Sequence, residues 1–425
     1  MDYSGRRPLH LAAAAGSVGV VDALLRAGAD VNSRDDMGRT PLFYTTNASE
    51  NGDVKEEAAK AAVVKALLKA GASPDPKDST GQTALHKAVL MPAGEVLKAL
   101  LVGGASPGLG GNKGFTPLHV ACQYDARGTV NALLRAGAVP GHCWNHLLQS
   151  PLMVACRFGK LNAAEQLLPR LSARQINMQD RIISAEEGGL TPLLAALLYN
   201  YYDNDDSDIV GIVDALLGAG ADPTLRASNG LSPLAAVVRG SNTKANPSLG
   251  PSLVQALAAA GADVNVVGGS SGFTPLHFAC LEGACGEVVQ ALLDAGADAC
   301  APCAGMCFMT PLQLAGVGGN VEAVAVLIER PECGGLNAVG APPSRATALA
   351  CAVLHGQTEA CRFLLERGAD MDLLPSASLG ESSTTLSAAS LVEMAAQRGH
   401  LDAMNLLIQA KIFRDKAEEA VGVEG

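Results

Sequence analysis

The chain has 425 residues, of which 48% are hydrophobic and only 4% aromatic: one Trp, six Tyr and eight Phe. Its net charge of −11 and pI near 5.2 argue against nonspecific binding to nucleic acid or to an anionic membrane, since both need a basic face. No apolar run approaches the roughly 18 residues of a bilayer-spanning helix, and a chain this apolar buries enough surface to escape disorder.

The hydrophobic fraction rests on small and aliphatic residues, with Ala abundant and 47 Gly. Such a composition suits helices that pack very close together, many times over. Length alone suggests two or three domains. Cysteine stands at 11, an odd number and too few for a disulfide scaffold. Arg6-Arg7 followed by the Ala-rich run Pro8 to Gly16 mimics a secretory leader, but its pattern recurs along the chain and reads as folded structure. A reducing compartment with free thiols is therefore expected, and with it a cytoplasmic or nuclear location.

Two short patterns alternate from end to end. One reads Thr-Pro-Leu-His-x-Ala, as at Thr116-Pro117-Leu118-His119 and Thr274-Pro275-Leu276-His277, with variants such as Ser150-Pro151-Leu152-Met153, Thr83-Ala84-Leu85-His86 and Thr310-Pro311-Leu312-Gln313. The other reads Ala-Leu-Leu-x-Ala-Gly-Ala-Asp, as at Ala23–Asp30, Ala215–Asp222 and Ala291–Asp298. The first positions are spaced by 33, 43, 33, 34, 41, 41, 42, 36, 37 and 43 residues, a floor of 33 with insertions added. Thr or Ser before Pro predicts a helix start, since the hydroxyl caps the helix and Pro at its first turn loses no hydrogen bond. The first unit predicts a short helix over Pro8–Ala15, a second over Val18–Ala27 with Leu24 and Leu25 buried, and Gly28 as its stop. No such unit buries its apolar face alone, so stability comes from stacking on neighbours.

These motifs resemble the ankyrin repeat, whose period is 33. The resemblance covers residues 3–412 as one array of about eleven repeats, starting near 5, 38, 81, 114, 148, 189, 230, 272, 308, 345 and 388, with 413–425 as an acidic, solvent-facing tail. It implies an all-α solenoid of helix pairs joined by β-hairpin fingers, and a non-catalytic scaffold or adaptor, monomeric on its own, that binds a protein partner through its concave groove. Insertions fall between the paired helices at Asn47–Lys60, Tyr199–Ile209 and Ser241–Pro251, and in the fingers at Ala173–Gly188 and Leu373–Ala389.

The resemblance gives His10, His86, His119 and His277 a structural role, bonding backbone at the turn. Cys122, Cys156 and Cys280 share one small-residue slot of the first helix and read as core, as does Cys361. Cys300, Cys303 and Cys307 form Cys-x-x-Cys-x-x-x-Cys in one finger; with Cys285 or Cys333 as a fourth ligand they would make a zinc or redox site, an alternative regulatory reading. His142, Cys143 and His146 around Trp144 lack a clear fourth ligand. Asp203, Asp205, Ser207 and Asp214 loosely follow a calcium loop, but Asp208 stands where that loop needs Gly, and a solvated acidic loop is the plainer reading. Asn32 and Asn265 resemble ankyrin asparagines that an asparaginyl hydroxylase modifies; a turn Asn is the simpler account. No Walker loop, Gly-x-Ser-x-Gly elbow or His-Glu-x-x-His occurs, and no cofactor is expected.

In the ankyrin pattern two columns face the concave groove: the residue before the Thr/Ser slot, and the residue eight after it. Despite the scarcity of rings, these columns hold Phe115, Tyr124, Phe158, Tyr199 and Phe273, beside Met91, Leu190, Leu231 and Met309. Aromatic anchors of this kind dominate interface energies, so these residues are expected to carry the partner contact, chiefly in repeats 3–6.

Overall fold

The computed structural model describes residues 2–47, 54–91, 94–125, 128–141, 144–180, 188–199, 207–240, 248–269, 272–304, 308–330, 332, 334–340, 345–373 and 390–422. The chain divides into two compact units, Met1–Ala221 and Asp222–Gly425. The first holds the pairs α1 (Pro8–Ala14) and α2 (Val18–Arg26), α3 (Pro41–Tyr44) and α4 (Val54–Lys69), α5 (Ala84–Ala88) and α6 (Glu95–Val102), and α7 (Pro117–Tyr124) and α8 (Thr129–Arg135). It continues with α9 (Pro151–Arg157) and α10 (Leu161–Leu167), the single turn α11 (Ala173–Ile176), and α12 (Pro192–Leu198) and α13 (Ser207–Gly218). The second holds α14 (Pro233–Arg239) and α15 (Leu249–Ala259), α16 (Pro275–Glu282) and α17 (Gly286–Asp294), α18 (Pro311–Gly318) and α19 (Val321–Ile328), α20 (Ala348–Leu354) and α21 (Thr358–Glu366), and α22 (Leu391–Arg398) and α23 (Leu401–Gly422). The segment read as a tail from 413 thus continues α23 as far as Gly422.

Each first helix starts on a Thr, Ser or Arg in extended conformation, with Pro at its first turn in most pairs. Two capping solutions occur. Where His follows three residues later, its Nδ1 accepts the cap residue's own N–H: Arg7 to His10 (3.0 Å), Thr83 to His86, Thr116 to His119 and Thr274 to His277 (3.1 Å each). The proton must then sit on Nε2, which donates into the next finger: His86 to the Phe115 carbonyl (2.9 Å), His119 to Gln149 and His277 to Ala301 (3.0 Å each). Gln313 copies this with an amide: its Oε1 accepts from the Thr310 N–H (2.8 Å), and its Nε2 donates to the Ala346 carbonyl. Where the position is apolar, the hydroxyl caps alone, as Ser150 does for Met153 and Thr191 for Leu194 (3.2 Å each).

The Ala-Gly-Ala motif ends the second helices. Gly28 adopts φ +83°, a left-handed conformation costly for any side chain, and the Ala29 N–H then reaches back to the Leu24 carbonyl at 3.0 Å. The same closure recurs at Ala72 to Leu67, Ala105 to Leu100 and Ala138 to Leu133. Leu67, Leu100 and Leu133 are fully buried. Leu24 and Leu25, expected in the core, are only half-buried, because among the described residues their pair has a neighbour on one side only.

Leucines two after the cap form the core: Leu9, Leu42, Leu85, Leu118, Leu152 and Leu193 in the first unit, and Leu234, Leu276, Leu312 and Leu349 in the second, with Leu391, one after its cap, in the last pair. Cys122, Cys156, Cys280, Cys351 and Cys361 are buried free thiols. Burial alone raises the Cys156 and Cys280 thiols far above the ordinary range, so they act as small apolar groups.

The expected β-hairpin fingers are not strands. Among the described residues the only β-bridge pairs Gly268 with Phe273. Each finger closes on one backbone bond, as Asp35 N–H to the Arg39 carbonyl (3.0 Å) or Gly111 N–H to Phe115 (2.8 Å), and a single bond builds no ladder. Asp or Asn side chains do the rest. Asp35 Oδ1 accepts from the Met37 and Arg39 N–H groups (2.9 and 2.8 Å), and Asn145 Oδ1 from Leu147 and Gln149 (2.9 and 3.0 Å). Insertions partly lengthen the second helices, since α4 begins at Val54 and α13 at Ser207. Residues 48–53, 200–206, 241–247, 181–187 and 374–389 of the insertions lie outside the described residues.

Two stability predictions follow from this packing. A Cβ on Gly316 would stand 2.5 Å from the Ala348 carbonyl oxygen, which is backbone and has no room to yield. Gly316→Ala gains up to ~1 kcal/mol of helix propensity but incurs an overpacking cost of roughly 1–3 kcal/mol, so its urea midpoint falls. Gly19→Ala, with nothing within 4 Å, moves the midpoint up. Separately, burial holds His119 down to about 4, so it folds neutral. Its contribution is complete above about pH 6.5 and is lost as pH falls toward 4, on the order of 3 kcal/mol. His119→Gln, with the chemistry of Gln313, flattens that part of the stability profile in denaturant titrations at pH 7 and pH 4.5.

Candidate protein-binding groove

In the first unit a groove of about 650 Å³ runs between the third and fourth helix pairs and their fingers. The sequence forms it locally. Helix α5 is short, ending at Ala88, and the chain leaves it through i→i+3 bonds, Leu90 N–H to the Lys87 carbonyl and Met91 N–H to Ala88 (3.1 Å each). Helix α7 runs on to Tyr124, whose ring is 59% exposed. Leu90, 46% exposed, faces the same groove, joined by Phe115, Val120 and Gln123. Phe115 is half-buried, its ring meeting His119 edge-on at 5.5 Å. Lys87 and Lys113 stand exposed in the lining, and no carboxylate lines it.

The expected contact residues divide three ways. Phe115 and Tyr124 come together in this groove. Phe158, Tyr199 and Phe273 are half-buried against their own chain: the Arg157 guanidinium lies 4.3 Å from the Tyr199 ring centre, and Phe273 packs on Phe278 at 5.3 Å. Met91, Leu190, Leu231 and Met309 are buried and do not belong to an open surface. In repeat 3 the tight turn after α5 brings Leu90, not Met91, to the surface, so a column counted eight from the cap is one residue out of register. At Leu190, Leu231 and Met309 the backbone is drawn into finger closure: Asp180 Oδ1 accepts the Leu190 N–H (2.7 Å), Ala227 N–H reaches the Leu231 carbonyl (3.0 Å), and Cys303 N–H reaches Met309 (2.9 Å). Leu90, Lys87, Val120 and Lys113 were missed. Lys87 and Val120 both lie four after the cap, a column that would have found them.

Of the cysteine finger, Cys300 and Cys303 lie within the described residues. Cys300 is disulfide-bonded, a departure from the expected free thiols and from a ligand role for its sulfur. Cys303 is buried, its Sγ accepting the Met309 N–H at 3.3 Å. Cys307 and Cys333 lie outside the described residues, as do His142, Cys143 and Asp203–Asp206. Among the described residues no group of three His, Cys, Asp or Glu is placed to hold a metal. Asn32 and Asn265 are exposed and bridge successive fingers. Asn32 donates to the Gly71 carbonyl (3.2 Å) and accepts from the Ser73 N–H (2.8 Å), while Asn265 spans Gly296 and Asp298 at 3.0 and 2.8 Å.

The family model for ankyrin repeats matches residues 55–143, 206–303 and 300–374, and the single-repeat model matches 4–36. The chain belongs to the ankyrin repeat family. Its fold is the all-α ankyrin solenoid. Ankyrin repeats are in general protein–protein interaction modules and typically non-catalytic. Compared with curated proteins, the chain finds no match. No helix among the described residues is long and apolar enough to cross a membrane.

Exposure separates the side chains this ankyrin protein leaves at its surface from those that hold its fold. Leu90→Ala with Tyr124→Ala leaves the thermal midpoint nearly unchanged, within about 1 kcal/mol of stability. Leu118→Ala, fully buried beneath them, costs about 2–5 kcal/mol.

Proposed function

We propose that this ankyrin protein is a non-catalytic scaffold that holds a partner protein in the groove between its third and fourth repeats. The observation that carries this is the exposure of Tyr124 and Leu90 in one concave site, in a chain that spends most of its large apolar side chains on its core. A ring and an aliphatic side chain left in water inside a groove are the anchor type that dominates interface energies, with polar residues such as Gln82 and Gln123 around them. The lining also fits recognition better than reaction. His86, the groove's one imidazole, has both nitrogens tied to Thr83 and Phe115, which leaves no lone pair for base chemistry.

Affinity purification from a lysate with wild-type chain and with Leu90→Ala/Tyr124→Ala tests this. Loss of the recovered partner from the folded double variant is the expected result; equal recovery from both overturns the groove as the contact site.

A further inference from the structure

Lys87 and Lys113 expose their side chains in the lining of the groove, in a chain of net charge −11, and among the described residues neither forms an ion pair. On the adjoining finger, Asp75 Oδ1 accepts the Ser106 N–H at 3.0 Å and Asp78 Oδ1 accepts from the Thr80 N–H, the Thr80 hydroxyl and the Gln82 N–H at 2.9, 2.7 and 2.9 Å; neither carboxylate lines the groove. Lys77, between Asp75 and Asp78 on that finger, donates to the Gly110 carbonyl at 2.6 Å. The lining of the groove thus carries two lysines and no carboxylate, on an acidic protein, with an apolar floor of Leu90, Phe115, Val120 and Tyr124.

We propose that the partner enters this groove as an acidic peptide segment carrying one large apolar side chain, its carboxylates meeting Lys87 and Lys113 while the apolar side chain sits between Leu90 and Tyr124. This rests on the scaffold reading above and adds the chemistry of the partner. Charge complementarity argues for it. Against a net charge of −11, two lysines with no carboxylate in the same lining favour an acidic segment there and set its register. The apolar anchor supplies residence once the segment is seated.

The test uses the full-length protein and a phage-displayed library of random peptides, followed by fluorescence anisotropy with the most enriched peptide. Enriched peptides are expected to be acidic with a large apolar residue. Binding should weaken at least about tenfold in Lys87→Glu/Lys113→Glu, and equally when the peptide's Asp and Glu become Asn and Gln. Raising the salt concentration should weaken the wild-type complex. Enrichment of neutral or basic peptides, no enrichment at all, or affinity unmoved by the charge reversal overturns the proposal. If partner recovery from lysate is lost in Leu90→Ala/Tyr124→Ala yet survives Lys87→Glu/Lys113→Glu, the scaffold reading stands and the acidic-peptide proposal fails.

Discussion

A neutral imidazole with its proton on Nε2 ties the start of one helix to the finger that follows it. His86 and His119 each accept the N–H of their own cap and donate to a carbonyl some thirty residues on. Local and long-range structure are thereby made by one side chain. The helix start is fixed only when the next repeat supplies its carbonyl, and that carbonyl is satisfied only when the helix is capped. Burial makes neutrality obligatory, because a charged imidazole would lose the acceptor and leave a cation in an apolar stack. Gln313 shows that the constraint is geometric: an oxygen and an N–H on opposite edges of a short planar group serve as well. Repeats with Met153 or Leu194 at this position keep the hydroxyl cap and give up the bridge, relying on packing with their neighbours.

The same closeness explains the composition. First helices approach until even a methyl group is too large, as Gly316 beneath the Ala348 carbonyl demonstrates, and a Cβ on Gly318 would likewise strike the Leu281 carbonyl. Rings would prop such helices apart. Among the described Phe, Tyr and Trp rings only Phe43 and Tyr44 are buried, both on the four-residue helix α3, and the rest are half-buried or exposed, so their scarcity is a packing requirement before it is a functional sign. Charged residues also serve the stack across repeats. Glu57, buried on α4, accepts the N–H groups of Glu95 and Val96 at 2.8 and 3.4 Å and so caps α6, while Glu322 takes the Gly286 N–H at 2.6 Å at the start of α17.

Helix starts and stops were legible because their causes are local. Thr-Pro and Gly act within a few residues, and the Thr–His pair lies within one turn. The bridge from Glu57 to α6 was not legible, because it spans 38 residues and depends on how two repeats meet. The fingers were misread as hairpins for a related reason. Strand pairing needs successive backbone bonds, whereas Asp35, Asp78 and Asn145 satisfy the turn N–H groups with their own side chains. Half of the groove was legible, in Phe115 and Tyr124. The other half depended on where α5 ends, and a helix of five residues leaving through a tighter turn moves the exposed position from Met91 to Leu90.

The position four after the cap shows why the open surface of the first unit lies where it does. It is exposed at Leu11 and Lys87 and half-buried at Val120, but Tyr44 is 3% exposed, Val154 2% and Ala195 1%. One helical register thus changes between solvent and core from repeat to repeat, with no change in the capping signal. Periodicity determines which residues share a line; it does not determine whether that line is covered. Past α7 the line is covered, and the aromatic side chains there, Phe158 and Tyr199, are half-buried with it. Tyr124 lines the groove with Lys87 of α5 and Lys113 of the finger before α7, so apolar anchor and cationic side chains share one site.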